Sequence, residues 1–554
     1  MKEKVEIIKL IQKKKYTDAE YLINSAQKEG KLDNELVFLQ GVIKANQKKY
    51  LEAKSLFEKF LQFSNDHFDG NFNLAGCYHE MGDLEKAIKY YEKCTLLNPN
   101  NIEPYKRLAM CWRFNRQYEK AIDNLKIGLK IQKTPESILL LGNIYKEKGD
   151  FEKAKSQFEE ITVTYPNSFE GRLALANLEI DKGNLNMANN LLNNLLSLPN
   201  IPQEINNKIK IDLAKILMAK GEYVGAIESY LNISRTMNDP TISYNLALCH
   251  LFLKKYELGW SYHEERINLI TFGNLRNRYF NFTKPIWEPN RPKKNLLIWG
   301  EQGIGDVILH SQYIHMFKDE FSNISLAVDK KLINFFKIIY PDIKVIDIEK
   351  IKQYNNYDYH LPIGSLGKNF QKLFNTSKLH KQSKYDFDNE RVPKKNKKIR
   401  CGISWQSTNK IFGHKKSIEL LQLSEILKNN EIEFINLQFS FNKKEIENVE
   451  SKLNKKIFIN HEIDCFNDIE GVAALINSCD IVITISNSNA HIAGKLGIKT
   501  FLLLPYSDGK LWYWGTNDDN QIPWYPSISP IRCDYQNDWK QSISSLKEEL
   551  EKLL

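Results

Sequence analysis

The chain has little of what fixes many small or extracellular folds. Its 554 residues include only eight cysteines, and no two form a CxxC pair. Zinc frameworks and disulfide scaffolds are therefore not expected. With 17 prolines and 26 glycines, collagen-like and low-complexity classes are excluded. No apolar run approaches the ~18 residues of a membrane span. The opening MKEKVEIIKLIQKKK places lysines where a signal peptide needs its apolar core. A cytoplasmic protein that is not integral to a membrane is expected. The net charge of +10 is spread along the chain, so it reads as solvated surface with no nucleic-acid partner.

What the sequence does have is size and repetition. Its 554 residues exceed what one core supports, since single cores stop growing near ~250 to 300 residues. An aromatic residue or Leu followed by a small residue recurs as Tyr16/Ala19, Tyr50/Ala53, Leu84/Ala87, Tyr118/Ala121, Phe151/Ala154, Leu185/Ala188, Tyr223/Ala226 and Tyr256/Gly259. The small residues are 34, 34, 34, 33, 34, 38 and 33 apart. Upstream of them stand Leu74-Ala75, Leu108-Ala109, Leu141-Gly142, Leu175-Ala176, Leu213-Ala214 and Leu246-Ala247. This register resembles the tetratricopeptide repeat, which implies two antiparallel helices per unit over residues 1–275. Small residues let the paired helices cross closely, with Tyr78 and Tyr91 filling the gap beside them. Gly82, Gly149, Gly183 and Gly221 fall at the turn that ends each first helix. Tyr78, Trp112 and Tyr145 read as packing residues. A stacked array of this kind presents a concave face able to hold a protein or peptide partner.

After a joint over residues 276–293, with Pro285, Trp287, Pro289 and Pro292, the period changes. Strands are expected at Asn295–Gly300, Ile324–Asp329, Lys344–Ile348 and Tyr357–Pro362. A second series follows at Cys401–Trp405, Glu433–Phe439, Ile457–Asn460, Ile481–Ser486, Thr500–Pro505 and Ile528–Arg532. Continuous apolar strands separated by helices mean parallel sheets covered on both faces. The fold class is therefore α plus α/β: a helical repeat array, then two doubly wound lobes, 294–390 and 401–554. The basic connector 391–400 joins them as a solvated linker, with a cleft between the strand C-termini.

Each lobe has one loop suited to chemistry. In NLLIWGEQGIGDVILHSQYI, Gly300, Gly303 and Gly305 allow a tight turn before Asp306, at a helix start. An Asp there serves either as a cap and dipole partner or as a cleft-facing carboxylate. In DIVITISNSNAHIAGKLGIKTFLLLP, Ser486, Asn487, Ser488 and Asn489 precede a helix whose first amides, if free, face an anion. A plain Asn/Ser cap is the other reading, and a structural role for His491 stands beside ligand contact.

Together GEQGIGDVILHSQYI, GISWQSTNKIFGHKKSIEL, DIVITISNSNAHIAGKLGIKTFLLLP and WYWGTNDDNQIPWYPS resemble the heptosyltransferase-like (family 9) glycosyltransferase domain carried after tetratricopeptide repeats in bacterial proteins. The resemblance implies a GT-B pair of Rossmann-like lobes and inverting, metal-independent transfer of a sugar from a nucleotide-sugar donor. It implies Asp306 as general base, beside the cleft loop of Gly300, Gly303 and Gly305. Lys416 corresponds to the lysine on the donor phosphate, with Lys415 the alternative register. Ser486, Asn487, Ser488, Asn489 and His491 correspond to the phosphate loop and the helix behind it. No cofactor is implied, and the repeats would recruit a protein, peptide or glycan acceptor.

The chain departs from the family where Ser486-Asn487-Ser488 replaces Asp-Thr-Gly. That loss of a carboxylate and a glycine permits the alternative of an inactive module on an interaction scaffold. Asp386-Phe387-Asp388 mimics a metal-binding DxD but precedes the connector. Trp512, Trp514 and Trp524 either line the cleft or pack the lobes, and His310, His360 and His414 lack metal-ligand spacing.

Overall fold

The computed structural model describes residues 2–31, 33–269, 282–370, 385–387, 390–407, 413–439, 443–505, 511–516, 521–533 and 539–553. Asp388 lies outside these residues, as do the side chains of His414 and Lys415. The chain forms two compact units, Met1–Ile209 and Lys210–Leu554.

The first unit is an array of helix pairs. These are α1 (Lys2–Gln12) with α2 (Tyr16–Lys28), α3 (Asn34–Asn46) with α4 (Tyr50–Leu61), and α5 (Phe68–Glu80) with α6 (Leu84–Leu97). Next come α7 (Ile102–Phe114) with α8 (Tyr118–Ile131), α9 (Pro135–Lys148) with α10 (Phe151–Thr164), and α11 (Glu170–Lys182) with α12 (Leu185–Leu196). Helix α13 (Gln203–Lys220) spans the unit boundary.

The helices begin where capping residues accept backbone hydrogen bonds: Asp83 from Lys86, Asn101 from Glu103, Thr134 from Ser137 and Asp150 from Lys153. Within a pair the repeated small residues are fully buried, as at Ala53, Ala87, Ala121, Ala154 and Ala188. The approach is so close that a Cβ on Gly142 would stand 2.3 Å from the Phe158 ring. The expected turn glycines Gly82 and Gly149 do take left-handed backbone, with φ of +79° and +93°. Lys14, Lys48 and Arg116 fill the corresponding turns without glycine, at φ of 58°, 61° and 59°.

The second unit starts with the last repeat helices, α14 (Tyr223–Ser234), α15 (Pro240–Phe252) and α16 (Tyr256–His263), and a 3-10 turn at Glu264–Asn268. Two parallel sheets follow. The first holds β1 (Asn295–Trp299), β2 (Asn323–Val328), β3 (Lys344–Asp347) and β4 (Tyr359–Pro362), in the order β3-β2-β1-β4. The second holds β5 (Ile399–Ser404), β6 (Ile432–Asn436), β7 (Ile457–Phe458), β8 (Ile481–Ile485), β9 (Lys499–Leu504) and β10 (Ile528–Arg532), in the order β10-β9-β8-β5-β6-β7. All ten expected strands are present, and every pairing is parallel. The longer helices of this region are α17 (Ile304–Ser311), α18 (Ile333–Ile339), α19 (Lys443–Leu453), α20 (Ile469–Asn477), α21 (Ser488–Leu496) and α22 (Lys540–Glu551).

The compact-unit boundary falls near residue 210 and not near 275, where the repeat register ends. The reason is packing. Trp260 of α16 is buried against Trp512 at 5.2 Å and Tyr313 at 6.4 Å between ring centroids, and a Cβ on Gly367 would stand 2.4 Å from it. One hydrophobic core contains Leu251 and Trp260 from the last repeat, Ile298 and Phe336 from the first lobe, and Ile476 and Trp514 from the second. The described part of the joint, 282–293, belongs to this body too, since Trp287 stacks on Phe370 at 5.5 Å and its amide donates to the His360 carbonyl. A separate core covers the other face of the second sheet, through Trp405, Phe434, Ile483 and Leu546.

Candidate functional site

The strand orders decide where ligands can enter. In the first sheet the chain winds outward from β1 to β3 and then returns to place β4 on the other side of β1. The loops after β1 and β4 therefore diverge, leaving a crevice at the strand C-termini. The second sheet repeats the device, with β5 and β8 as the diverging neighbours. Every candidate residue lies on or beside these loops. Glycines 300 and 303 with Asp306 follow β1, Lys416 follows β5, and Ser486 to His491 follow β8.

The two crevices meet at the facing helices α17 and α21. Gly305 permits the contact, because a Cβ there would come within 2.7 Å of His491 Cδ2. His491 is buried, shares a hydrogen bond of 2.9 Å with the Tyr525 hydroxyl through Nδ1, and lies 4.7 Å from Trp514 between ring centroids. Burial drives its pKa down to about 3, so it is a neutral packing residue between the helices.

Asp306 occupies the first turn of α17 and keeps partial exposure. The nearby Tyr513 hydroxyl and Gly303 backbone favour its charged form. Burial pushes its pKa up to about 6; the nearby Lys416 ammonium opposes that rise and the Glu301 carboxylate adds to it. A carboxylate held near neutrality is suited to proton abstraction.

Lys416 is only 7% exposed and ends a short helical turn at Gly413–Lys416. Its Nζ donates to the Ser486 carbonyl at 3.1 Å, tying the loop after β5 to the loop after β8. Desolvation lowers its pKa, against the pull of Asp306. Among the described residues its one hydrogen-bond acceptor is that carbonyl, and an ammonium has three donors to offer.

The loop after β8 is more self-contained than its sequence implies. Asn487 caps α21, and its Oδ1 accepts from the amides of Asn489 at 3.0 Å and Ala490 at 3.4 Å. The expectation of free first-turn amides is corrected for these two positions, because a side chain two or three residues upstream already satisfies them. Asn487 is held in turn by Ser404 and Thr484, at 3.1 Å each. Ser486 is buried, its Oγ accepting from Trp514 Nε1 at 2.9 Å, and Asn489 donates to the Leu437 carbonyl at 2.9 Å. Asn487 and Ser488 stay partly exposed. Trp512, Trp514 and Trp524 are buried and pack the lobes together.

Several site residues escaped the sequence reading. Arg266, fully buried in the 3-10 turn after α16, donates through Nη2 to Glu301 at 2.8 Å and to Ser365 at 3.0 Å. Glu301, inside the glycine-rich turn, also accepts from the Gly364 amide at 3.1 Å. The last repeat thereby clamps the loops after β1 and β4 together. Tyr513, within electrostatic range of Asp306, was likewise missed, although it lies between Trp512 and Trp514. Among the described residues no group of three or more His, Cys, Asp or Glu is placed to hold a metal ion, and no helix is long and apolar enough to cross a membrane.

Comparison with known proteins bears mainly on the repeats. Over 522 residues the chain is 22% identical to Protein FlbA of Caulobacter vibrioides, covering 88% of this chain and 79% of that protein. It is 23% identical to BBSome complex member BBS4 of Bos taurus over 40% of this chain and 42% of that one. A tetratricopeptide repeat protein from Parabacteroides merdae, solved by crystallography, aligns over 45% of this chain and 97% of its own at 18% identity and a TM-score of 0.40. Residues 68–101 and 136–168 match tetratricopeptide repeat families, so the helical array contains repeats of that type.

Proposed function

We propose that the second unit is a glycosyltransferase of GT-B type and that the repeats are a protein-interaction scaffold recruiting its acceptor. The observation that supports the reading is the meeting of two switch-point loops: Gly305 packs against His491, Lys416 donates to the Ser486 carbonyl at 3.1 Å, and Asp306 and Lys416 interact electrostatically. Asp306 takes the proton of the acceptor hydroxyl as its oxygen attacks the anomeric carbon of a nucleotide-sugar donor. The nucleoside diphosphate leaves from the opposite face, giving inversion. Lys416 and the exposed part of the Asn487–Ser488 turn stabilise its charge, so no metal ion is required. Membership of BBS4 in a complex, at 23% identity, accords with a binding role for the repeats.

One observation favours a second reading, an inactive module on the same scaffold. The Asn487 side chain occupies two amides that a phosphate would otherwise use. A thermal-shift panel of UDP, GDP, ADP and CMP sugars separates the two. A ligand at 100 times its dissociation constant adds about 2.7 kcal/mol of stability, and one nucleotide class is expected to do so. No stabilisation by any of them would sink the transferase reading.

A further inference from the structure

The two lobes are tied to the last repeat pair as well as to each other, and the tie runs through one side chain. Trp260 of α16 is 1% exposed. From the first lobe, the rings of His310 and Tyr313 approach it to 5.6 Å and 6.4 Å between centroids. Gly367, in the helical turn Leu366–Phe370 after β4, comes so near that a Cβ there would stand 2.4 Å from the Trp260 ring. From the second lobe, Trp512 meets Trp260 edge-on at 5.2 Å. The turn Trp512–Trp514 is fixed to that lobe, because Arg532 of β10 donates to the Trp514 carbonyl at 2.8 Å and Trp514 donates to Ser486. Tyr256, at the start of α16, stands edge-on to Trp524 at 6.5 Å. Edge-to-face rings at these separations hold a defined mutual geometry.

The connector is fastened to one lobe. Arg391 pairs with Asp468 at 2.5 Å, and its carbonyl accepts from Asn460 at 2.7 Å. Lys395 pairs with Asp480. Arg400, which is buried, donates to the Pro393 and Lys394 carbonyls at 2.9 Å each and to Glu433 at 3.0 Å. All of these partners belong to the connector itself or to the second lobe. Two other contacts pass directly between the lobes. Lys495 of α21 donates to the Tyr340 hydroxyl at 3.2 Å, and that hydroxyl donates to the Ser311 carbonyl, at the end of α17, at 2.6 Å. Lys331 Nζ lies 3.3 Å from the centre of the Phe466 ring.

We infer that the last repeat pair is a brace that sets the spacing of the two lobes, with Trp260 as its wedge, and that the free protein holds its cleft at one width instead of swinging on the connector. Packed interfaces of this kind take discrete arrangements and do not deform continuously. Parting the lobes draws Trp260 away from Trp512 or from Gly367, and either movement breaks the core that the repeat and both lobes share. Displacing α16 acts on both lobes at once. The brace holds whatever reaction the cleft performs.

The test measures the distance between the lobes in the full-length protein without ligand, by pulsed electron resonance between spin labels on Lys337→Cys of α18 and Lys452→Cys of α19. The background is Cys465→Ser, since the other seven cysteines are buried. The parent is expected to give one narrow distance distribution, and a Gly-Gly insertion between Lys397 and Lys398 to leave it in place. Trp260→Ala is expected to lose the narrow distribution while near-ultraviolet circular dichroism reports a folded core. Gly367→Ala loads the wedge from the opposite partner and is expected to shift the mean to longer distance, which keeps the claim testable if Trp260→Ala does not fold. A broad distribution in the parent overturns the inference. So does a narrow one that is unmoved in Gly367→Ala and in folded Trp260→Ala, or one that the connector insertion broadens.

Discussion

The repeat pair α9–α10 and the last pair α15–α16 share one sequence register, yet they serve different cores. In the first, Gly142, Phe158 and Ala154 close a contact between neighbouring helices and little else is asked of the pair. In the second, the register is kept by Leu246, Ala247 and Gly259, while Leu251 and Trp260 join a core shared with both sheets and Arg266, just beyond α16, is buried against Glu301. A repeat can thus end as part of an α/β body without changing its consensus. The periodic positions fix helix pairing, and the positions between them are free to take on another partner.

The most severe way to break this comparison is to cut the chain. A protein beginning at Gln203 keeps α13 to α16 and is expected to unfold cooperatively. One beginning at residue 276 loses Trp260 and Arg266, exposes Gly367 and leaves Glu301 without its arginine. It is expected to be insoluble or to lose near-ultraviolet circular dichroism. Equal cooperativity of the two would show that the last pair is dispensable.

Point substitutions sharpen the contrast. Removing one partner of a buried ion pair costs about 3 to 5 kcal/mol, so Arg266→Ala is expected to fall in that range in urea unfolding. Arg113→Ala breaks the half-exposed pair with Glu147 in the first unit, where such pairs contribute about 1 kcal/mol or less. The smallest effect lies at the turns. Lys48 takes a left-handed backbone, φ 61°, at a position where Gly82 and Gly149 sit in other pairs. Lys48→Gly is expected to raise stability by up to about 1 kcal/mol, read as a shift in the first unit's unfolding midpoint.

Much of this architecture is legible in the sequence because it is periodic. The small residues at spacings of 33 to 38 set the helix pairs, and the apolar runs mark all ten strands. Gly300, Gly303 and Gly305 are expected at a tight turn; none of them is among the residues with positive φ, and Gly305, already inside α17, marks the close approach of α17 to α21. The clamp was not legible. Arg266 and Glu301 are 35 residues apart, and in the sequence Arg266 is one charge among the acidic residues of HEERI. A buried ion pair has no local pattern, since its partners are chosen by packing. Likewise the polar character of the 486–489 loop was plain, but whether Asn487 would offer amides to a ligand or satisfy them itself depends on a side-chain rotamer fixed by Ser404 and Thr484.

The central claim is that Asp306 is the base of a site assembled from both switch points. The pH dependence of donor turnover tests it directly. Below its pKa of about 6 the carboxyl is protonated and cannot accept a proton, so turnover should fall about tenfold per pH unit on the acid side. Glu301→Gln removes a neighbouring negative charge that raises the Asp306 pKa, and should move this limb to lower pH; Asp306→Asn should abolish turnover. A limb that persists unchanged in Asp306→Asn would contradict the account.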